Sequence, residues 1–284
     1  MKIVDHKLVA ENATEKINHT RKASIIREYG TPDNMPKDLI IHYTAGNLVD
    51  SLNVLSGTKA SVHLVIDRDG TIYQMIPFNK AGAHAGYSCW NEITSSFNTR
   101  SIGIEIINMG HDVKNVKASN IITIKHKHKF VTQTKWEKYP KAQMDAVIAV
   151  SKLLVNHYQL NRVLGHDDIS AGRKQDPGPA FDWDLFKTEV FGVTDNIGKI
   201  YKVNTKDTNF RKSDNSNSDS NIIKPSLQIG YEVGLIETWG NWCKVYKCNS
   251  SDEVAYKEKN SKGILVVKNK KTQGWIYRTL LTIK

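Results

Sequence analysis

The segment GHDDISAGRKQDPGP occupies residues 165–179 and follows a short strand-like stretch at 162–164. It combines ionisable side chains with three glycines and two prolines, a composition that suits a tightly turning loop and not a core. In α/β proteins, functional groups emerge where strands give way to loops. The segment therefore predicts a site at a strand end in an α/β fold, with His166 and Asp176 able to face one metal ion.

Two earlier stretches extend this site. Residues 38–44, DLIIHYT, predict a buried strand that ends near His42, and residues 101–107, SIGIEII, predict a central strand that contains Glu105. A single histidine at a strand end is most often a hydrogen-bonded core residue. A carboxylate within an apolar strand is costly unless it is paired or functional. Glu105 is therefore the stronger indication of a site.

The remaining elements complete an α/β pattern. Helices are predicted over 48–55, 142–158 and 181–191, and a shorter one over 20–29. The sequence DRDG at 67–70 predicts a hairpin turn, because glycine accepts a positive φ. These elements indicate an α/β fold with a mixed central β-sheet flanked by helices.

A basic excursion interrupts this pattern at residues 110–141, which contain eight lysines. Its run KHKHK at 125–129 alternates, so a strand there would place the lysines on one face and the histidines on the other. An exposed basic hairpin is the favoured interpretation. A second metal site at His126 and His128 is a minor alternative, because no third ligand is evident.

The charge and hydropathy of the chain limit its partners. The 284 residues carry a formal net charge of +11, which suits nucleic acid, an acidic membrane surface or a bacterial wall polymer. No nucleic-acid recognition motif accompanies the charge, and we expect no nucleic-acid partner. No apolar run is long enough for a membrane span. The first residues lack the apolar core of a secretory signal, so we expect synthesis in the cytoplasm and delivery by another route.

The chemistry of the candidate residues is that of a hydrolase. His42, His166 and Asp176 form a three-ligand set of the kind that catalytic zinc uses, with one position open. Glu105 is the candidate general base. Lys174, two residues before Asp176, is placed to stabilise an oxyanion. Together they predict metal-assisted hydrolysis of an amide or ester, with one Zn²⁺ per chain.

At residues 36–190 the sequence resembles the type 2 N-acetylmuramoyl-L-alanine amidases, a family that is similar to peptidoglycan recognition proteins and phage lysozyme-type amidases. The resemblance is carried by His42, VH at 62–63 before the hairpin, AHAG at 83–86, SIGIE at 101–105, YP at 139–140 with Gln143, GHD at 165–167 and RKQDPGP at 173–179.

The resemblance implies a zinc enzyme that cleaves the amide between the lactyl group of N-acetylmuramic acid and L-alanine. It implies zinc ligands at His42, His166 and Asp176, and a catalytic pair at Glu105 and Lys174. It also implies substrate contacts from three further residues, His63, His84 and Asn98. Val62 stands where the phage lysozyme-type branch has a catalytic tyrosine, so the sequence resembles the glutamate-using branch.

The C-terminal part differs in character. Short strand-like segments predict a small all-β barrel over residues 196–284, separate from a catalytic domain over 1–195. Pieces such as GNWCKV at 240–245 and GWIY at 274–277 resemble a bacterial SH3-type domain. Trp239, Trp242 and Trp275 could form a face for wall peptides or glycans. Barrel core is an equally good interpretation of these tryptophans.

These observations predict a monomeric zinc-dependent peptidoglycan amidase that acts on the bacterial cell wall and binds a wall polymer through its C-terminal domain. A lytic, endolysin-type antibacterial or wall-remodelling role is the leading hypothesis. A cytosolic amidase that recycles anhydro-muropeptides is the first alternative, because a secretory signal is not evident. A non-catalytic peptidoglycan-binding protein is the second.

Overall fold

The computed structural model describes residues 1–29, 35–90, 93–191, 200–212, 222–239, 242–247, 254–259, 265–270, 273–277 and 281–283. The chain divides into two units, Met1–Gly192 and Val193–Lys284. The predicted domain boundary after residue 195 falls among residues outside the described ranges. Among the described residues, no helix is long and apolar enough to cross a bilayer.

The first unit contains fourteen strands and four helices in the described residues. The strands are β1 Lys2–Val4, β2 Lys7–Val9, β3 Ile17–Asn18, β4 Arg27–Glu28, β5 Asp38–Tyr43, β6 Leu64–Ile66, β7 Ile72–Gln74, β8 Lys80–Ala81, β9 Tyr87–Trp90, β10 Ile93–Ser96, β11 Ser101–Ile106, β12 Ile121–Thr123, β13 Lys135–Glu137 and β14 Arg162–Gly165. The helices are α1 Leu48–Leu55, α2 Lys141–Tyr158, α3 His166–Ile169 and α4 Trp183–Phe191.

A six-stranded mixed sheet forms the centre of this unit, in the order β14-β5-β11-β6-β7-β3. Strand β5 lies between β14 and β11 and is parallel to both, and β11 is also parallel to β6. All six residues of β5 are buried, as expected for a parallel strand covered on both faces. The expected mixed α/β sheet is confirmed.

The three predicted longer helices are present, and local sequence explains their ends. Asn47 caps α1 by accepting a hydrogen bond from the Asp50 backbone, and Asp182 caps α4 by accepting one from Leu185. Helix α2 buries its apolar stripe in the main core, which includes Met144, Val147, Val150, Leu154 and Val155. These helices hold the sheet, whose strand ends carry the site.

The short helix predicted over residues 20–29 is wrong. The segment is extended and hydrogen-bonds along a neighbouring stretch: the amides of Ala23, Ile26 and Tyr29 donate to carbonyls of residues 75–81. Its strand β4 pairs with β8. Pairing with a distant segment satisfied the backbone here, and local propensity could not predict it.

The basic excursion at residues 110–141 forms a hairpin only where β12 pairs with β13. Strands β12 and β13 pair antiparallel, while residues 125–129 between them adopt no strand. The predicted alternation still holds, because Lys125, Lys127 and Lys129 are exposed while His126 is buried and His128 is half-buried.

The second unit contains nine described strands: β15 Ile200–Val203, β16 Thr208–Arg211, β17 Ile222–Leu227, β18 Glu232–Trp239, β19 Trp242–Lys247, β20 Val254–Lys259, β21 Leu265–Lys270, β22 Gln273–Tyr277 and β23 Leu281–Ile283. Seven form one sheet in the order β17-β16-β22-β19-β18-β15-β23, and β20 pairs with β21. The proposed tryptophan face involves side chains outside the described set, and the SH3-type assignment stays a prediction.

Candidate metal centre and catalytic site

The sheet register brings three functional positions to one edge. Because β5, β11 and β14 are parallel, their carboxyl ends meet at the same edge of the sheet. Glu105 is the direct register partner of His42, and Gly165 is the partner of Ile41. His166 therefore begins α3 next to His42.

His42, His166 and Asp176 form a tight triangle of potential ligand atoms. Nδ1 of His42 lies 2.9 Å from Nδ1 of His166 and 3.0 Å from Oδ2 of Asp176, and the His166–Asp176 distance is 2.9 Å. All three residues are buried, and they are the one group of this kind among the described residues. Two imidazole nitrogens and a carboxylate oxygen, converging from three segments, fit a zinc ion with one open position.

The loop between His166 and Asp176 turns back through specific backbone contacts. The Asp167 amide donates to the Asp176 carbonyl over 2.8 Å, which joins the positions next to both ligands. Gly172 supports the turn with a φ of +86°, which a side chain would strain. The segment that opened the sequence analysis is thus folded into a closed loop with its two ligands side by side.

Electrostatics favour the protonation states that metal ligands need. Burial and the neighbouring His166 lower the pKa of His42 to about 4, which keeps its imidazole neutral. Burial alone would raise the pKa of Asp176, but hydrogen bonds from His166 and His42 lower it well below its usual range. Neutral imidazole and ionised carboxylate are the forms that bind zinc.

His84 contacts and orients the candidate ligand His42. Its Nδ1 lies 3.1 Å from Nε2 of His42, and its own Nε2 lies 3.4 Å from the carbonyl of Ser101. If Nδ1 of His42 faces the metal, its Nε2 carries the proton and donates to His84, which in turn donates to Ser101. A ligand imidazole held in this way keeps one tautomer. Burial and the adjacent histidines lower the pKa of His84.

Glu105 is the carboxylate that the sequence placed within an apolar strand. Its Oε2 is buried and has no hydrogen-bond partner among the described residues. Burial, and then the negative charge of Asp176, raise the pKa of its carboxyl well above the usual range, while Lys174 opposes the shift. A buried carboxylate oxygen without a partner is costly, and it points to a role in proton transfer.

Lys174 and the metal ligands share one groove. The groove has a volume of about 540 Å³, and its lining includes His84, Glu105, Lys174 and Asp176. The positive charge of Lys174 acts on His42 as well as on Glu105. Four of the five predicted metal and catalytic residues, Glu105, His166, Lys174 and Asp176, therefore line one groove, and the fifth, His42, contacts His166 and Asp176.

Two of the three predicted substrate contacts lie elsewhere. His63 is fully buried, with Nε2 donating to the Lys80 carbonyl over 2.8 Å and Nδ1 accepting from the Gly103 amide over 3.0 Å. It completes the hydrogen bonding of β11 at Gly103, just before the point where β6 begins to pair with β11. The ring of His63 has no exposed surface, and its expected contact with a substrate stays a prediction.

Asn98 likewise has a structural partner set. Its Oδ1 accepts from the amides of His84, Ala85 and Gly86, at 3.0, 2.7 and 2.7 Å. These bonds hold the loop that carries His84, and the substrate contact expected for Asn98 stays a prediction. Only His84 of the three lines the groove.

The sequence suggested that Arg173 is a surface charge, but its side chain cross-links two loops. Its guanidinium donates to the Ser170 and Ser88 hydroxyls and to the Ala85 carbonyl. It thereby joins the loop after His84 to the loop at residues 166–176, which carries the candidate ligands His166 and Asp176 and is called the metal-ligand loop below. No local sequence pattern indicates the link to the earlier loop, because Ala85 and Ser88 lie more than eighty residues away.

Comparisons with known proteins identify relatives of this chain. Residues 32–179 match the family model described as N-acetylmuramoyl-L-alanine amidase. The amidase AmiD of Escherichia coli is 30% identical over 166 residues, which are 55% of this chain and 54% of that protein. The 1,6-anhydro-N-acetylmuramyl-L-alanine amidase AmpD of Escherichia coli is 34% identical over 134 residues, 46% of this chain and 59% of that protein.

A solved structure of AmiD from E. coli, in complex with anhydro-N-acetylmuramic acid-L-Ala-D-gamma-Glu-L-Lys, is 29% identical, with a TM-score of 0.45 over 54% of this chain and 57% of that chain. The chain thus spans little more than half the length of these relatives.

Proposed function

The chain belongs to the N-acetylmuramoyl-L-alanine amidase family, and from this premise we propose that it hydrolyses the amide between the lactyl group of N-acetylmuramic acid and L-alanine. The observation that carries the proposal is the triangle of His42, His166 and Asp176, with Glu105 in direct register beside His42. This arrangement suits metal-assisted hydrolysis and leaves no obvious use in a binding protein.

The substrate that we propose is a soluble anhydro-muropeptide. Several relatives are named 1,6-anhydro-N-acetylmuramyl-L-alanine amidases. Their names support the recycling alternative more than the endolysin-type role that the sequence suggested first. The partner is then a muropeptide fragment and not an intact wall.

In the proposed mechanism, His42, His166 and Asp176 would hold one zinc ion. A zinc ion bound there supplies a Lewis acid for the amide carbonyl and lowers the pKa of a water ligand toward about 7. The protein residues supply the remaining steps. His84 would keep His42 in the tautomer that presents Nδ1.

Glu105 acts as the general base and then as the general acid. Its raised pKa lets the carboxyl accept a proton from the attacking water and return it to the leaving amine of L-alanine. Lys174 places a fixed cation in the same groove, where negative charge develops on the carbonyl oxygen of the substrate.

The test is mass spectrometry of the products from an anhydromuramoyl peptide. We expect release of an intact stem peptide with a free L-alanine amino terminus, by protein that contains one zinc per chain. Glu105→Gln should retain zinc and lose about 100- to 10,000-fold in kcat. A wild-type protein that binds the muropeptide and leaves the amide intact contradicts the proposal.

A second candidate function is hydrolysis of the intact wall, and the second unit, Val193–Lys284, favours it. Soluble fragments need no additional wall-binding module. Turnover of purified sacculi should be compared with turnover of the soluble muropeptide at equal enzyme concentration. Higher turnover on sacculi favours the lytic role, and turnover confined to the soluble substrate favours recycling.

A further inference from the structure

The basic run at residues 125–129 lies against the metal-ligand loop, although none of the motifs that carry the family resemblance includes it. Its lysines are exposed, His126 is buried and His128 is half-buried. Beneath it, the His126 ring lies 5.6 Å from the ring of buried Trp136. The run is therefore anchored to the first unit on its histidine side.

Both histidines bind backbone carbonyls that adjoin metal ligands. Nε2 of His126 lies 3.1 Å from the carbonyl oxygen of Gln175, the residue before Asp176. Nε2 of His128 lies 2.8 Å from the carbonyl oxygen of Asp167. Because carbonyl oxygens only accept, each Nε2 carries its proton and donates. Nδ1 of His126 is then free to accept the amide of His128, at 3.0 Å.

Lys127 adds a charged contact to the same loop. Its ammonium pairs with Asp168 and lies 3.0 Å from Oδ1 of Asp167. Asp167 is joined to the Asp176 carbonyl through its amide, and Oδ2 of Asp168 accepts from the Gly165 amide over 2.7 Å. Lys127 therefore compensates the charges of two carboxylates in this loop, one of which is buried.

The same segment reaches the catalytic groove through Phe130. This side chain is 50% exposed and lines the groove together with Glu105 and Lys174. Its ring stacks on His128, with centroids 5.7 Å apart and planes 21° apart. An exposed aromatic ring with such support is a rigid surface for an uncharged ligand face. Negatively charged groups of a stem peptide suit Lys174, which lines the same groove, instead.

We propose that residues 126–130 act as one brace, in which His126, Lys127 and His128 position the ligands His166 and Asp176 while Phe130 contacts the muramoyl ring of the substrate. This inference rests on the proposed zinc amidase function. It assigns to the basic run a role in the site in place of a solvated hairpin or a second metal site.

The positioning role is tested by zinc affinity, with a chromophoric chelator as competitor. His126→Ala should weaken zinc binding by about 10- to 100-fold, the usual effect of removing support from a metal ligand. His126→Gln should recover most of the affinity, because an amide N–H can donate to the Gln175 carbonyl. Equal zinc affinity of His126→Ala and wild type contradicts the positioning role.

Lysine variants provide a matched pair within the same run. Lys127→Ala should weaken zinc binding measurably, whereas Lys129→Ala, which removes an exposed lysine with the same charge, should leave it unchanged. Circular dichroism of each variant shows whether the fold is intact. If His126→Ala does not fold, the Lys127 and Lys129 pair decides, and equal zinc affinities of these two variants overturn the brace.

Phe130 is tested by steady-state kinetics on anhydromuramoyl-L-alanine and on the same muramoyl group with a longer stem. Phe130→Ala should raise KM about fivefold to tenfold on both substrates, with zinc affinity unchanged and kcat nearly so. Phe130→Tyr should restore KM. An increase in KM that occurs only with the longer stem overturns the muramoyl contact, as does an unchanged KM on both.

Zinc affinity is measured without substrate, so the two proposals can fail separately. A wild-type protein that binds zinc and does not cleave the muropeptide overturns the proposed reaction, while the chelator results still decide the positioning role. A wild-type protein that binds no zinc overturns both.

Discussion

At the residue scale, Glu105 and Lys174 form an electrostatically coupled pair. Burial and Asp176 raise the pKa of Glu105, and Lys174 lowers it. The base must be ionised to accept a proton, so activity should decrease as the pH falls through the Glu105 pKa. The pH at which activity falls on the acid side of the pH–rate profile, its acid limb, therefore depends on the charge that surrounds Glu105.

Lys174→Gln removes the cation that lowers this pKa. The Glu105 pKa should rise further, so the acid limb of kcat/KM should move to higher pH, and kcat should fall about 100- to 1,000-fold through loss of oxyanion stabilisation. A pH–rate profile measures both effects. Lys152→Gln, on the exposed face of α2, is the charge-matched control and should leave the profile unchanged. An acid limb that moves to lower pH in Lys174→Gln contradicts the assignment.

His84 gives a second prediction at this scale. His84→Ala leaves Nε2 of His42 without its acceptor, and zinc affinity should fall about 10- to 100-fold. His84→Asn should restore part of the loss, because its Oδ1 can accept from His42. Chelator competition on folded protein measures the change. Zinc affinity equal to wild type in His84→Ala means that His42 needs no such partner.

At the element scale, the β6–β7 hairpin shows how local chemistry holds a turn that the sequence predicted. Asp69 accepts from the Thr71 amide over 2.9 Å and pairs with Lys16 over 3.0 Å. The Thr71 hydrogen bond, followed by Lys16, lowers the Asp69 pKa to about 2. The turn at residues 67–70 joins β6, which begins directly after Val62 and His63, to its antiparallel partner β7. It therefore supports the register of β6.

The depressed pKa gives a pH-dependent stability. A carboxyl whose folded pKa lies below its unfolded value stabilises the fold above the unfolded pKa, near 3.8, and loses this effect as the pH falls toward 2. Asp69→Asn should reduce the free energy of unfolding by less than about 1 kcal/mol at pH 7, because the ion pair is exposed and screened. Urea unfolding at pH 7 and pH 3 should show the difference shrinking at the lower pH. A difference that grows as the pH falls contradicts this linkage.

Strand β11 carries the candidate base Glu105 and pairs with β5, which carries the candidate ligand His42. A Cβ on Gly103 would lie 2.6 Å from the ring of His84, so glycine allows this histidine to approach the strand. His63 and His84 satisfy backbone groups of β11 at Gly103 and Ser101, where β6 offers no pairing. The same strand then presents Glu105 to the groove.

At the scale of the whole molecule, the proposed catalytic residues all belong to the unit Met1–Gly192. The second unit contributes no residue to the triangle of His42, His166 and Asp176. A protein that ends at residue 192 should therefore retain kcat/KM on a soluble anhydromuramoyl peptide within about twofold. It should lose retention on purified sacculi, if the second unit binds wall polymer as the sequence predicts.

Co-sedimentation with sacculi and kinetics on the soluble substrate measure the two properties separately. The full chain is the control for both. Undiminished sedimentation of the shortened protein contradicts a wall-binding role for the second unit. A large loss of soluble activity with an intact fold contradicts the confinement of catalysis to the first unit.

The sequence alone predicted the mixed sheet and the three longer helices, and it singled out the five candidate metal and catalytic residues, which the fold brings together. These features leave local traces: apolar periodicity, turn residues at 67–70, and a carboxylate at 105 where an apolar residue is expected. The order of motifs then connected them through a family resemblance. Apolar runs reveal strands, but they do not reveal which backbone groups lack a strand partner.

Only the tertiary structure decided what surrounds those residues. His63 and Asn98 became structural because buried backbone amides required acceptors, His84 became a partner of His42, and the basic run became a neighbour of the metal-ligand loop. Each of these contacts joins segments that lie far apart in the sequence. A hydrogen bond to a distant carbonyl depends on the fold and not on the neighbouring residues, so no local pattern could predict it.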